Sequence, residues 1–408
     1  MKSLYLSVAV LALSAGAAFA KGDDLDKRAH EIHDRVIALD THVDIADHGY
    51  ATAALDPGGF TKGQVDLPKM RAGGLDTIFL IVYTPQGPLT ADGFAEARHF
   101  ATAKLNTITR MTRAYPRDIA LALSASDARS IDRSGRKVAF IGMENPYPLG
   151  ATVEDVETWR DAGVRYMGVT HFGHNQFGDS SNPNTEGGDP DEKYGGLSSL
   201  GRELVAELNR VGIMIDVSHA SRKTMMQVIE LSKAPIIASH SSIAALAEAP
   251  RNLDDEQLRA LAANGGVVQI TAVDVYLKPF TQEQSDLQAK IKKEMKLESD
   301  EAMEAASDEV KAEYQKRMQA VWAISPRANV ANLVDHIDYA VKVAGFDHVG
   351  ISSDFDGGGG IDGWDDASET YNVTRELVRR GYSEEDIGKI WSGNLLRVLS
   401  EVQKKAEK

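Results

Sequence analysis

The stretch VIALDTHVD, Val36 to Asp44, decides the fold. Four apolar residues, Val36 to Leu39, read as a buried strand that runs directly into Asp40-Thr41-His42-Val43-Asp44. Side chains alternate along a strand, so His42 and Asp44 point to the same side. A strand end that delivers an imidazole and a carboxylate to one point is suited to holding a divalent cation.

The same arrangement recurs along the chain. Further apolar runs are DTIFLIVY (76–83), KVAFIGME (137–144), RYMGVTH (165–171), GIMIDVSH (212–219), PIIASH (235–240), GGVVQIT (265–271) and HVGISSD (348–354). They are nearly continuous in apolar residues, as strands covered on both faces are. Amphipathic helical stretches lie between them, such as SLGRELVAELNRVG (199–212) and DDEQLRALAANGG (254–266), with Gly212 and Gly265 as helix stops. This alternation predicts an α/β protein, a (β/α)8 TIM barrel. A doubly wound open sheet is the competing fold, but no Gly-x-Gly-x-x-Gly follows the first strand.

In such a barrel the chemistry gathers where the strands end. The runs end in His42 and Asp44, Glu144, His171, His219, His240 and Asp354. A single histidine after a strand is commonly a hydrogen-bonded loop residue, whereas matched positions on six strands indicate a site. Nitrogen and oxygen donors without thiolate suit zinc, and after it manganese or cobalt. His42 and Asp44 would serve one ion and His219 and His240 a second, with Glu144 between them. Two divalent ions bring four positive charges, which Asp44, Glu144, Asp354 and a bridging hydroxide balance. Such a pair, roughly 3.5–4 Å apart, acidifies water and polarises a carbonyl. Asp354 is then the candidate proton carrier. Arg251, in EAPRNLDDEQL, reads either as a surface arginine or as a clamp for a substrate carboxylate. Asp356 reads as a loop residue, and His48, His99, His174, His336 and His348 are assigned no role.

The chain has 408 residues and a formal charge of −15, which argues against nucleic acid as a partner. Residues 1–20, MKSLYLSVAVLALSAGAAFA, read as a signal peptide ending in Ala18-Phe19-Ala20. The expected domains are this leader and a single barrel over 21–408, exported to the periplasm or secreted. The chain contains no cysteine, hence no disulfides. No later run is long enough to span a bilayer, so no membrane anchor is expected after cleavage. Two segments exceed a bare barrel. Residues 172–196 form a Gly/Asn/Asp-rich loop. Residues 281–320 read as an inserted helical hairpin before the last strand, taken as a solvated decoration, with a lid or a dimer contact as the alternative.

DTHVD, GME, THFGHN, GLSSLGRELVAELNRVGIMIDVSHAS, ASHSS, PRN, GISSDFDG and SGNLLRVL together resemble the membrane dipeptidase (renal dipeptidase) family of the amidohydrolase superfamily, from about residue 30 to 400. The resemblance implies a barrel with a two-zinc site that hydrolyses dipeptides. Position by position, it implies that His42 and Asp44 hold one zinc, that His219 and His240 hold the other, and that Glu144 bridges both. It also implies that Asp354 is the acid/base, that His171 contacts the substrate and its tetrahedral intermediate, and that Arg251 binds the substrate's carboxylate. A homodimer follows by analogy alone. Many members carry Gly-Gly after the bridging glutamate where this chain has Asn145-Pro146, and the 281–320 insertion is longer than the family leads one to expect. The alternatives are another metallohydrolase on the same barrel, such as an N-acyl-D-amino-acid deacylase, a lactonase or a phosphotriesterase, and a non-catalytic exported binding protein. A bridging glutamate in place of a carboxylated lysine argues against the lysine-bridged hydrolases, though not against a deacylase.

Overall fold

The computed structural model describes residues 24–407 except 46–49, 186, 299–301 and 304–305. Residues 1–20, expected to be a leader, and His48 lie outside the described residues. Among the described residues there are nine parallel strands: β1 (Leu39–Val43), β2 (Thr77–Tyr83), β3 (Ile119–Leu121), β4 (Lys137–Glu144), β5 (Val164–Gly168), β6 (Met214–Asp216), β7 (Ile237–Ser241), β8 (Val267–Thr271) and β9 (Val349–Ser352). They pair in the order β1-β2-β4-β5-β6-β7-β8-β9. The ring closes where Val43 bridges Phe355 and the Asp44 amide donates to the Phe355 carbonyl at 2.9 Å. The result is the eight-stranded (β/α)8 barrel, with all eight expected strands in it.

β3 was not foreseen. It pairs with the first residues of β4, Lys137 to Ala139, below the point where β5 joins at Ile141. Three residues with one fully buried side chain leave too short a pattern to read as a strand.

The barrel's interior explains why only one end is available for chemistry. Leu39, Phe79, Phe140, Tyr166, Met214, Ile237 and Val267 form one buried cluster with Leu395, Leu399 and Val402 of the C-terminal helix Asn394–Lys405. That helix lies across the N-terminal ends of the strands. Arg397 donates to the carbonyls of Gly265 and Asp347, just before β8 and β9, and Lys405 donates to that of Lys233, just before β7. The larger apolar cluster packs the outer strand faces against the surrounding helices. Gly212 ends the helix Ser199–Val211 at φ +79°, as expected of a left-handed helix stop.

His336, on the helix Val330–Ala344, is a structural histidine. The Ile243 amide donates to Nδ1 at 3.1 Å, and Nε2 donates to the Leu277 carbonyl at 3.1 Å. Both ring nitrogens are thus committed to the neutral ring, and burial pushes the group down to about 4. A folded value below the unfolded one contributes stability above pH 6.5 that is lost as pH falls toward 4. In urea titrations at pH 7 and pH 5, the wild type should lose about 2 kcal/mol more than His336→Gln, which keeps a donor and an acceptor without the charge. Equal losses would remove His336 from the acid response.

Candidate metal centre and active site

At the C-terminal end of the barrel, residues from six strands or the turns after them converge on Glu144, the last residue of β4. His219 Nε2 lies 3.0 Å and His240 Nε2 3.3 Å from Glu144 Oε1. His42 Nε2 lies 3.4 Å from Glu144 Oε2, 3.4 Å from Asp44 Oδ2 and 3.8 Å from Asp354 Oδ1. His171 Nε2 stands 4.0 Å from Glu144 Oε1. A cavity of about 610 Å³ opens over this cluster, and Arg251 is in its wall. The seven strand-end residues named from the sequence, together with Arg251, therefore meet at one site. The strands are shorter than the apolar runs suggested. His171 and His219 each lie three residues beyond their strand, and Asp354 lies two beyond β9.

The backbone turns sharply to aim these groups inward. His219 and Asp354 adopt φ +66° and +62°, values uncommon for residues other than glycine. Two buried carboxylates hold the turns. Asp40 accepts from the amides of His42 (3.2 Å) and Ser353 (2.9 Å) and from the Ser353 hydroxyl. Asp216 accepts from the amides of Ser218 (3.1 Å) and Ser239 (2.8 Å) and from the Ser239 hydroxyl (2.7 Å). Each one ties a histidine-bearing strand to its neighbour. Gly357 is required for close approach, because a Cβ there would lie 2.2 Å from Asp44 Oδ2.

Hydrogen bonds fix which nitrogen of two imidazoles faces the centre. Tyr166 donates its hydroxyl proton to the Thr41 carbonyl (3.2 Å) and so accepts from His42 Nδ1 (2.9 Å). Ser239 donates to Asp216 and accepts from His240 Nδ1 (2.8 Å). Nε2 of each ring is left to face the carboxylates, an arrangement typical of metal-ligating histidines. Burial holds His219 and His240 well below the usual imidazole range, so both are neutral. Burial is also the largest influence on Glu144 and raises it, but His42, His171, His219 and His240 outweigh it and hold it well below the usual carboxylate range. Burial lowers His42, yet Glu144 and Asp44 outweigh burial and raise it strongly. The cluster therefore draws positive charge to the space between His42, Asp44 and Glu144. Among the described residues, three donor sets are close enough to hold a metal ion: His42, Glu144 and His240; Glu144, His171 and His219; and His42, Asp44 and Asp354. Glu144 Oε1 is buried without a hydrogen-bond donor, as a ligand atom would be. The residues present thus fit divalent cations.

Around this centre, Asp354 is pushed up to about 7, chiefly by burial, with Asp44 and Glu144 adding to the rise and His42 and Arg251 opposing it. Burial also lowers His171. Its ring sits 4.8 Å from Tyr83 and 4.6 Å from Phe172. Arg251 is only 3% exposed, so the surface-arginine reading is wrong. One of its nitrogens donates to the His240 carbonyl (3.3 Å), while Nε and Nη1 have no acceptor.

The remaining described histidines lie elsewhere. His174 accepts from the Ser180 amide and donates to the Pro190 carbonyl, which orders the 172–196 loop. Asp356 belongs to a loop, as read, but it also lines the cavity. Asn145 is held at φ +64°, a conformation that glycine adopts freely and that asparagine tolerates better than most other residues. Its amide braces Thr84 and Gln86, and its carbonyl accepts from Asn175, so it supports the site without lining the cavity. Sequence reading missed Asp40, Asp216, Ser239 and Tyr166. The first three stand inside the quoted motifs, and Tyr166 looked like ordinary core.

An eight-stranded barrel with histidines and carboxylates clustered at the C-terminal strand ends defines a class, the metal-dependent hydrolases of this architecture. Comparison with known proteins narrows it. The family model described as Membrane dipeptidase (Peptidase family M19) matches residues 26–408, and the chain belongs to that family. It is 30% identical over 346 residues to dipeptidase aclJ of Aspergillus oryzae, covering 84% of this chain and 70% of that protein. It is 29% identical to dipeptidase tcpJ of Claviceps purpurea over the same shares of the two chains. The crystal structure of the probable dipeptidase PvdM from Pseudomonas aeruginosa superposes with a TM-score of 0.84 at 36% identity, covering 94% of this chain and all of that one. The protein is a metallopeptidase of the dipeptidase type, a hydrolase acting on peptide bonds.

The Tyr166 hydroxyl sets the His42 tautomer from inside the barrel, in space that Gly142 leaves open, since a Cβ there would lie 2.3 Å from the tyrosine ring. Tyr166→Phe should weaken metal binding about tenfold or more, as loss of such a partner does, with the fold intact by circular dichroism. Unchanged metal retention against a graded chelator would show that the tautomer is fixed by other means.

Proposed function

We propose that the chain is a zinc-dependent dipeptidase with two metal ions per chain. In this reading His42 and Asp44 hold one ion, His219 and His240 the other, and Glu144 lies between them. The convergence of four imidazoles on Glu144, with His42 drawn toward positive charge, is the observation that carries it. Bound zinc would supply a water acidified to near-neutral pKa and a Lewis acid for the scissile carbonyl. Asp354 takes the proton of the attacking water and returns it to the departing amine. A carboxyl pushed up to about 7 by its surroundings suits both transfers, and nearby divalent cations would pull it toward the carboxylate that accepts first. His171, buried among rings, is placed to donate to the oxyanion as charge develops there. Arg251 presents two nitrogens that lack acceptors and can form a paired contact with a free carboxylate. Such a clamp confines the enzyme to short peptides with an uncapped C-terminus. The leader-like residues 1–20 support export to the periplasm or beyond, and no helix among the described residues is long and apolar enough to cross a membrane.

Amino-acid release from L-L and L-D dipeptides, measured with zinc and after chelation, tests the whole reading. Release that vanishes on chelation and returns with zinc is expected. If the zinc-loaded protein leaves every dipeptide intact but cleaves N-acyl amino acids or lactones, a deacylase or lactonase takes its place.

Two variants separate the assigned roles. Asp354→Asn should keep its metal content while kcat falls about 100-fold or more. Arg251→Lys should raise KM for free dipeptides while leaving amidated ones, poor substrates throughout, little changed. A wild type that cleaves amidated and free dipeptides equally well would take the carboxylate clamp away from Arg251.

A further inference from the structure

The two ion positions of the proposed centre have unlike surroundings. On one side, His42 Nε2 has carboxylate oxygens of Asp44, Glu144 and Asp354 within 3.8 Å. Asp356 lines the same cavity, close enough to Asp44 for burial and that neighbour's charge together to push it up. On the other side, His219 and His240 bring their Nε2 atoms 2.9 Å apart, and both face Glu144 Oε1. Among the described residues, no other carboxylate lies within 4.0 Å of either ring's nitrogens. What stands beside them is the buried Arg251, which donates to the His240 carbonyl (3.3 Å) and lines the cavity. Burial is the main reason His219 and His240 stay neutral, and the Arg251 charge adds to it. The layer behind the rings differs as well. Asp40 and Asp216 supply one buried carboxylate to each side. Tyr166 and Ser239 accept from Nδ1 of His42 and His240, whereas His219 Nδ1 is buried without a hydrogen-bond partner. An imidazole holds a metal best when its other nitrogen has an acceptor.

We infer that the two positions hold their ions unequally, the one at His219 and His240 more weakly, and that a substrate carboxylate seated on Arg251 tightens it, so that the substrate completes the metal centre. The inference deepens the dipeptidase reading and rests on it. At His219 and His240 a divalent ion would share its one carboxylate with the neighbouring position and face a guanidinium. At His42 it would have Asp44, Asp354 and Asp356 around it as well as Glu144. The lysines of the cavity do not reverse the contrast. Lys104 is a single positive charge on the His42 side, held against the Tyr83 and Phe100 rings and the Ile45 carbonyl, where three aspartates stand. Lys311, on the helix Asp308–Ile324, brings no negative charge to His219 and His240. Arg251 Nε and Nη1 have no acceptor, so no hydrogen-bonded anion offsets the guanidinium at those atoms. A carboxylate that pairs with them weakens the repulsion between Arg251 and the ion beside it. The coupling is reciprocal, and an ion at His219 and His240 strengthens the hold on the carboxylate by the same factor. A centre completed in this way forms around ligands with a free carboxylate, which adds a second selection to the one the clamp makes.

The test reads metal content of the full chain by elemental analysis, after dialysis against zinc buffered at graded free concentrations. The wild type should lose its two ions in separate steps, about tenfold or more apart in free zinc. His219→Gln should remove the weaker step and leave the tighter one. Arg251→Gln, which keeps a donor and removes the charge, should move the weaker step to about tenfold lower free zinc. An arginine with a structural role alone would move it the other way or leave it in place. Propionate should shift the weaker step of the wild type in the same direction as Arg251→Gln does. Its uncharged isostere propionamide should not, and neither should shift the step in Arg251→Gln. Release of both ions together, a weaker step that neither Arg251→Gln nor propionate moves, or a propionate shift that persists in Arg251→Gln overturns the inference. Cleavage of Ala-Ala at saturating zinc in any of those cases leaves the dipeptidase reading standing. A wild type that holds fewer than two ions at saturating zinc overturns both.

Discussion

The structure is organised around one carboxylate that cannot be buried alone. Glu144 has four imidazole nitrogens within 3.0–4.0 Å, and each arrives from a different strand or from the turn after it. An uncompensated charge at that depth would be prohibitively expensive, so those arrivals have to be accurate. The accuracy comes from a second layer. Asp40 and Asp216 occupy equivalent places, each stapling a strand that leads to a histidine onto its neighbour through a serine. Tyr166 and Ser239 then orient the rings. Loosening that layer would leave the inner groups in place but wrongly turned.

Much of this was legible in the sequence, for a physical reason. Buried parallel strands are apolar along their length, so a polar residue where one ends stands out. His42, Asp44, Glu144, His219, His240 and Asp354 were all found in that way, and Gly212 marked its helix stop by the backbone it needs. Arg251 was less legible, because its burial depends on packing and not on local pattern. Asp40 was in plain view two residues before His42, but its partner Ser353 lies 313 residues away. Local periodicity cannot pair positions so distant. The inserted helices are recognisable as helices from composition, but the pairing that ties the unit's base, Arg327 to Asp274, joins residues too far apart in sequence for a local pattern to reveal.

The protein divides its labour between two layers of different origin. The barrel strands carry the groups that meet at Glu144, held by hydrogen bonds among buried residues. The inserted unit has its own apolar core and contributes Met303 and Lys311 to the cavity lining. Asn145 shows the same separation at a smaller scale. A left-handed turn that would suit glycine is here filled by a residue that also props the neighbouring loop through Asn175 and does not line the cavity.

The seam between Val43 and Phe355, together with the helix beneath the barrel, has a consequence for how the chain is made. The first strand finds its second neighbour only when the ninth has been synthesised, and the interior stays open below until Leu395 to Val402 arrive. Synthesis from the N-terminus therefore produces a set of half-finished βα units that cannot settle into the final barrel until that helix has emerged. Such a chain stays foldable late and depends on the helix Asn394–Lys405, whose loss would do more harm than shortening the loops above.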